Sequence, residues 1–229
     1  MNPWHAWRER RLDPDLRAAL AAWRSHPQPA LGMPALQLRC VVIDTETSGL
    51  DPHADRLLSI GAVALSGGAL DFSDAFDTTL RQREASEDAN ILVHGLGAAA
   101  QLDGEDPAVA LTRLLAWAGR APMVAYHAPF DARFIERAMD ATLALRWRVP
   151  WLDLTPLLPQ LFEDCRAASL DEWLTHFDID PPVRHSALGD ALATAQLAQI
   201  AFARAADRGL IKLGQLLRAA ADSRWLRRG

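Results

Sequence analysis

The period of hydrophobic positions changes several times along the chain. Residues 4 to 24 set Trp4, Trp7, Leu12, Leu16, Leu20 and Trp23 at intervals of three to five, with Arg, Glu and Asp between them, which predicts an amphipathic helix. The stretch SHPQPALGMPAL, with Pro27, Pro29, Gly32 and Pro34, cannot continue that helix and reads as a linker to about residue 38. From Cys40 the pattern shortens. CVVID has the continuous apolar run of a buried strand, and RLLSIGAVAL and ALDFSDAFDTTL read as two further strands turning at Gly67-Gly68, giving a three-strand meander. Asp106-Pro107 looks like an N-cap and first helical position of a helix reaching about Trp117. PMVAY is then a short apolar strand, Asp131 to Leu143 is periodic and helical, and WLDL is another strand, whose Asp153 or Thr155 caps a helix with Pro156 in its first turn. A short helix over Leu170 to Phe177 precedes the stop at Asp180-Pro181-Pro182, and Ser186 to Ala206 forms a long helix rich in Ala and Leu.

A meander followed by alternating helices and strands implies an α/β fold with a mixed sheet flanked by helices. The expected division is a helical extension with its Pro-rich linker over 1–38, a main domain over 39–206 and a helical basic tail over 207–229.

Composition narrows the picture. Half of the 229 residues are apolar, no run approaches the roughly 18 apolar residues of a membrane span, and MNPWHAWRERRLDPD is too charged for a signal peptide. A cytoplasmic protein without membrane association is expected. Cys40 and Cys165 stand far apart, in no C-x-x-C context, and suggest neither a disulfide framework nor a thiolate zinc site. The net charge of −5 argues against coating nucleic acid non-specifically. Of the 24 basic residues only Lys212 is lysine; arginine suits bidentate phosphate contacts, although a biased genome gives the same skew more simply.

The candidate chemistry begins at VVIDTETSGL. On a strand, residues i and i+2 share a face, so Asp44 and Glu46 project together while Thr45 and Thr47 face the other way. Two adjacent, partly desolvated carboxylates either share a proton or bind a cation, and hard divalent ions prefer oxygen ligands. Asp103-Gly104-Glu105 repeats the spacing without a preceding strand and reads as a solvated loop. Further acids should converge on the first pair. Asp131 follows a short strand where a helix opens, a position that also suits a helix cap. Asp190 lies inside a small, apolar helix, where an isolated carboxylate is costly unless a cation or partner neutralises it. His185 precedes Asp190 by five residues.

These residues resemble the DEDDh exonucleases, a family that includes the proofreading epsilon subunit of bacterial replicative polymerase and ribonuclease T. The likeness runs from about residue 39 to 205, with three motifs in order. Asp44-Thr45-Glu46-Thr47 with Ser48-Gly49-Leu50 resembles the first, Phe130-Asp131 the second, and His185-Ser186-Ala187-Leu188-Gly189-Asp190 the third. LLSIGAVAL resembles the second strand of that fold, and Val93-His94-Gly95-Leu96 resembles a segment lining the terminal-nucleotide site. One position departs: His127 stands where the family commonly has Asn, two residues before Pro129.

The resemblance implies a ribonuclease H-like fold with a five-stranded sheet, and stepwise hydrolysis from a 3′ end that releases nucleoside 5′-monophosphates. It implies two divalent ions, Mg²⁺ or Mn²⁺, held by Asp44, Glu46, Asp131 and Asp190, and His185 as the base that takes a proton from water. It also implies contacts to the terminal nucleotide from Thr47, Gly49, Leu50, His94 and Phe130. The expected partner is a single-stranded or frayed 3′ end, DNA before RNA, with a polymerase or a second copy of the chain as candidate protein partners. A nuclease for short RNA or tRNA ends is the competing enzyme. A non-catalytic nucleic-acid- or polymerase-binding module is the alternative of another class.

Overall fold

The computed structural model describes residues 3–86, 91, 95–180 and 186–226. Five strands form one sheet: β1 (Cys40–Thr47), β2 (Leu57–Ser66), β3 (Ala69–Thr79), β4 (Met123–Ala125) and β5 (Trp151–Asp153), in the order β3-β2-β1-β4-β5. The meander pairs antiparallel, whereas β4 and β5 run parallel to β1, so the sheet is mixed as expected. The outcome follows from the connections. A two-glycine turn with positive φ at Gly67 and Gly68 reverses the chain between β2 and β3, whereas helices carry it between the parallel strands.

Alternation along β1 divides the interior in two. Cys40 and Val42 face one core together with β5 and the helices α6 (Leu154–Leu161), α7 (Leu170–His176), α8 (Ala187–Asp207) and α9 (Leu213–Leu226). Val41 and Ile43 face the other, packed by α2 (Pro14–Ser25), α4 (Pro107–Ala118) and α5 (Ala128–Leu143). The central strand is therefore buried on both faces, which explains its continuous apolar sequence. Cys40 belongs to this interior, and burial pushes its thiol up to about 12, which suits an inert core residue. Cys165 is partly exposed and also reduced.

The single helix expected over residues 4 to 24 is two. α1 (Pro3–Glu9) ends, and Asp13 caps α2 by accepting a hydrogen bond from Asp15 N at 2.9 Å, with Pro14 in the first turn. Proline lacks the N–H that a continuous helix needs and fits a helix start. Both helices are anchored: Arg8 donates to Asp140 at 2.9 Å, and the Trp23 indole donates to the Gly119 carbonyl at 2.6 Å. The Pro-rich stretch contains a 3₁₀ turn (Ala35–Gln37), and Ala35 N donates to Ile211 O at 2.9 Å just before α9. The segment after residue 207 supplies Leu213, Leu216 and Ala220 to the core. A short helix, α3 (Ala98–Leu102), precedes α4. Among the described residues, no helix is long and apolar enough to cross a membrane.

Candidate active site

The end of β1 holds Asp44 and Glu46, which pair across the ladder with Gly61 and Ser59 of β2. Just past Glu46 the register shifts, ending regular pairing at Thr47. Asp190 arrives from the opposite direction, in the first turn of α8. Ser186 caps that helix by accepting from Gly189 N at 3.1 Å, which fixes the turn carrying the carboxylate. The approach depends on Gly61: a Cβ there would overlap the backbone of Ala187 and Leu188. A glycine in a strand interior is a signal of close backbone approach. It was readable in LLSIGAVAL, but the sequence does not say which element comes close.

Asp44, Glu46 and Asp190 offer carboxylate oxygens all within 4.8 Å of one another. Three anionic oxygen donors at one point suit a hard divalent cation of the Mg²⁺ or Mn²⁺ type, since such a cation removes the repulsion that the folded chain imposes.

Asp131 stands apart from that trio. It is buried in the first turn of α5, on the other side of β1, and its carboxylate accepts a hydrogen bond from the Thr45 hydroxyl at 2.8 Å. Loss of water pushes its carboxyl up to about 7, with the nearby Asp153 charge adding to the rise and the Thr45 hydrogen bond opposing it. The two same-face acids thus meet Asp190, and the intervening threonine meets Asp131. Asp44 of the trio and the Thr45–Asp131 pair line one cavity of about 720 Å³, together with Leu50, Phe130 and Asp153.

α5 begins at Ala128, three residues before the expected start, so Asp131 lies inside the helix and does not cap it. The N-cap is His127, with φ 61° and ψ 41°, a left-handed conformation that Asn tolerates better than most residues. That preference gives a backbone reason for the asparagine commonly found at this place. Here the His127 N–H donates to the Thr155 hydroxyl at 2.9 Å. Asp153, one of the two expected caps, accepts from Thr155 N at 3.1 Å and from Ala128 N at 3.3 Å, joining α6 to the start of α5.

Of the expected nucleotide contacts, Leu50 and Phe130 line the cavity. Leu50 is 84% exposed, at the tip of the loop after β1. Gly49 lies so close to Asp55 that a Cβ would strike its carboxylate, and the Thr47 hydroxyl donates to Gly49 O at 2.7 Å. Phe130 does two things at once, lining the cavity and packing on Phe134 with ring centroids 4.9 Å apart. His94 and His185 lie outside the described residues.

The sequence profile of the exonuclease family matches residues 41–198, from β1 into α8. The chain belongs to the exonuclease family. A DNA polymerase III subunit epsilon-like protein of Rhodobacter capsulatus is 34% identical over 190 residues, covering 80% of this chain. A PolC-type DNA polymerase III of Thermotoga maritima is 32% identical over 162 residues, covering 69% of this chain. The chain spans 26% of the first relative's length and 11% of the second's. E. coli exonuclease I, solved in a zinc-bound complex with single-stranded DNA, superposes with a TM-score of 0.62 at 17% identity, over 73% of this chain and 41% of that one. Cell-death related nuclease 4 superposes at 0.64 with 12% identity, over 76% and 66%. At these identities the likeness is one of fold, and the exonuclease domain has the ribonuclease H-like α/β architecture expected of it.

Proposed function

We propose that this exonuclease domain is a divalent-metal-dependent 3′–5′ exonuclease, which removes nucleoside 5′-monophosphates one at a time from single-stranded or frayed 3′ ends, with DNA preferred over RNA. The observation that carries the reading is the convergence of Asp44, Glu46 and Asp190 beside a cavity sized for a nucleotide. The DNA preference is supported by relatives named for DNA polymerase III and by a fold neighbour solved on single-stranded DNA. Editing of a polymerase's 3′ end is the setting those names suggest.

In this reading Asp44, Glu46 and Asp190 hold the divalent ions, with Asp131 acting from the neighbouring face. What bound ions of this kind supply is activation of water and stabilisation of charge on the leaving oxygen. The chain's own residues do the rest. Leu50 stands at the mouth as an apolar wedge against the last base, and Phe130 lines the wall behind it. Gly49 and Thr47 set the loop so that the terminal sugar can lie against backbone. His185 accepts the proton of the attacking water on an imidazole nitrogen, a role that free imidazole, with a pKa of about 6.5, can fill near neutral pH. The water oxygen bonds to phosphorus, the bond from phosphorus to the 3′ oxygen breaks, and that oxygen takes up a proton. The released nucleotide keeps the 5′ phosphate, and the shortened strand ends in a new 3′ hydroxyl.

A panel of 5′-labelled single-stranded DNA, single-stranded RNA and mismatched duplex, each incubated with Mg²⁺, Mn²⁺ or EDTA, tests this. Progressive shortening from the 3′ end is expected with either metal, fastest on DNA, and none in EDTA or on a strand blocked by a 3′ phosphate. Shortening from the 5′ end, internal cleavage, or digestion that persists in EDTA would overturn the proposal.

A further inference from the structure

The protein's net charge is −5, yet arginines gather on one path leading away from the acidic cavity. A cleft of about 500 Å³ shares Pro52 and Arg133 with that cavity, and four arginines line it, namely Arg133, Arg137, Arg146 and Arg148, against two carboxylates, Glu136 and Asp140. Beyond Arg146 and Arg148 a second cleft of about 510 Å³ continues past Arg120.

The two carboxylates are already engaged. Asp140 lies 2.9 Å from Arg8 and 3.1 Å from His5, and Glu136 lies 3.4 Å from Arg148. Arg137 donates to the backbone carbonyls of Pro52 and Asp55 and thus keeps its charge. Among the described residues, no carboxylate lies within ion-pair distance of Arg133, Arg137, Arg146 or Arg120.

The strip is also held rigidly. Leu145 and Trp147 are buried while Arg146 and Arg148 between and after them are exposed, so alternation along the segment points both guanidinium groups outward from a fixed anchor. Arg120 lies over the Trp23 ring, 4.2 Å from its centroid, which holds its guanidinium in place.

From this geometry we infer that the nucleic-acid strand behind the terminal nucleotide lies along this arginine strip, from Arg133 at the cavity mouth across Arg146 and Arg148 toward Arg120. The inference rests on the exonuclease reading and adds what that reading lacks, a path for the body of the substrate. Each nucleotide brings one phosphate charge, and planar guanidinium groups meet phosphate oxygens in pairs. A track of such contacts binds single strands without sequence preference. It also accounts for how an acidic protein holds a polyanion without coating itself in it.

The test is binding of 5′-fluorescent single-stranded DNA measured by anisotropy in EDTA, comparing a trinucleotide with an oligonucleotide of about 15 nucleotides. For the natural protein the longer strand is expected to bind at least about tenfold more tightly, with log affinity falling by about 0.7 per phosphate contact on a log salt axis. Arg146→Glu with Arg148→Glu should remove most of the length advantage and lower that slope by about 1.4, two contacts' worth. Arg146→Lys with Arg148→Lys, which keeps charge and fold, should retain the slope. Affinity that ignores strand length, or a charge-reversed variant with an unchanged slope, would overturn the track. Digestion of the trinucleotide by the natural protein with Mg²⁺, scored alongside, separates the two readings: if digestion proceeds while the slope is unchanged, only the track falls, and if no strand is shortened, the exonuclease reading falls.

Discussion

Asp44 and Glu46 stand on a central strand with a third carboxylate, Asp190, set against them. Asp103 and Glu105, at the same spacing, lie by the outer edge of the sheet, where Glu105 accepts hydrogen bonds from Arg113 at 2.5 Å and Thr78 at 2.8 Å. The second segment is also more ordered than the solvated loop its sequence suggested: Glu105 N donates to Thr79 O, and Arg81 N to Glu105 O, each at 2.8 Å, which adds one bridge to the end of β3. Gly104 allows this approach, since a Cβ there would come within 2.7 Å of Arg81 N and Thr79 O. The pKa directions follow the surroundings. Burial pushes Asp131 up to about 7 in a site where a hydroxyl is its hydrogen-bond partner. Desolvation works the same way on Glu105, but hydrogen bonds from Arg113 and Thr78 and the Arg113 charge outweigh it and lower its carboxyl below the ordinary value. Glu105 carries its counter-charge in Arg113, whereas Asp44, Glu46 and Asp190 bring three carboxylates to one point, an arrangement that suits a divalent cation.

Asp190→Ala removes one carboxylate from the convergent group. Loss of one of three converging ligands should reduce Mg²⁺-dependent digestion by more than the roughly 10–100-fold typical of changes in residues that merely orient ligands. The same variant should lose the rise in melting temperature that added Mn²⁺ gives the natural protein, because ion binding then no longer stabilises the folded state. Retained activity together with a retained melting shift would mean that the ion sits elsewhere.

Asp131 makes stability depend on pH to a smaller extent. The Asp131 carboxyl titrates near 7 when folded and near 3.9 when unfolded. Between those values the folded state binds the extra proton, so this group lowers metal-free stability as pH rises from about 4 to 7. Asp131→Asn removes the titration. In EDTA the variant should be more stable than the natural protein at pH 8, by on the order of 1–3 kcal/mol, and gain little or nothing at pH 4. Thermal melts at the two pH values check this, and an equal gain at both would show that the charge is not the cause.

Periodicity revealed most of the sheet because β1 and β2 are buried on both sides and therefore mostly apolar, and because Gly67-Gly68 marks the turn from β2 to β3. Asp44, Glu46 and Asp190 were legible as acids in settings that make carboxylates costly. The partnership between Thr45 and Asp131 was not, because it joins residues 86 apart in sequence, and alternation says only which way a side chain leaves the strand. The break before α2 had a local signal, Asp13-Pro14, hidden under a hydrophobic period that runs through both helices. The arginine strip had none. Its members come from three separate segments, and composition alone gave a skew toward arginine with no location.

Glu105→Ala should cost stability and leave digestion nearly unchanged. The substitution removes an exposed ion pair and one hydrogen-bond partner of the buried Thr78 hydroxyl, a loss of about 1–2 kcal/mol. That corresponds to a melting temperature lower by about 2–4 °C per kcal/mol for a chain of this size. The sheet edge should hold, because its bridge uses the backbone of Glu105 and the Arg113 guanidinium still lies 5.3 Å from the Phe76 ring centroid. Mg²⁺-dependent digestion, measured below the new melting range, should stay within about twofold of the natural rate, as expected for a substitution away from the reacting groups. A loss of digestion as deep as that of Asp190→Ala would contradict the distinction between the two acidic segments, since it would give catalytic weight to a carboxylate whose charge is already answered by arginine.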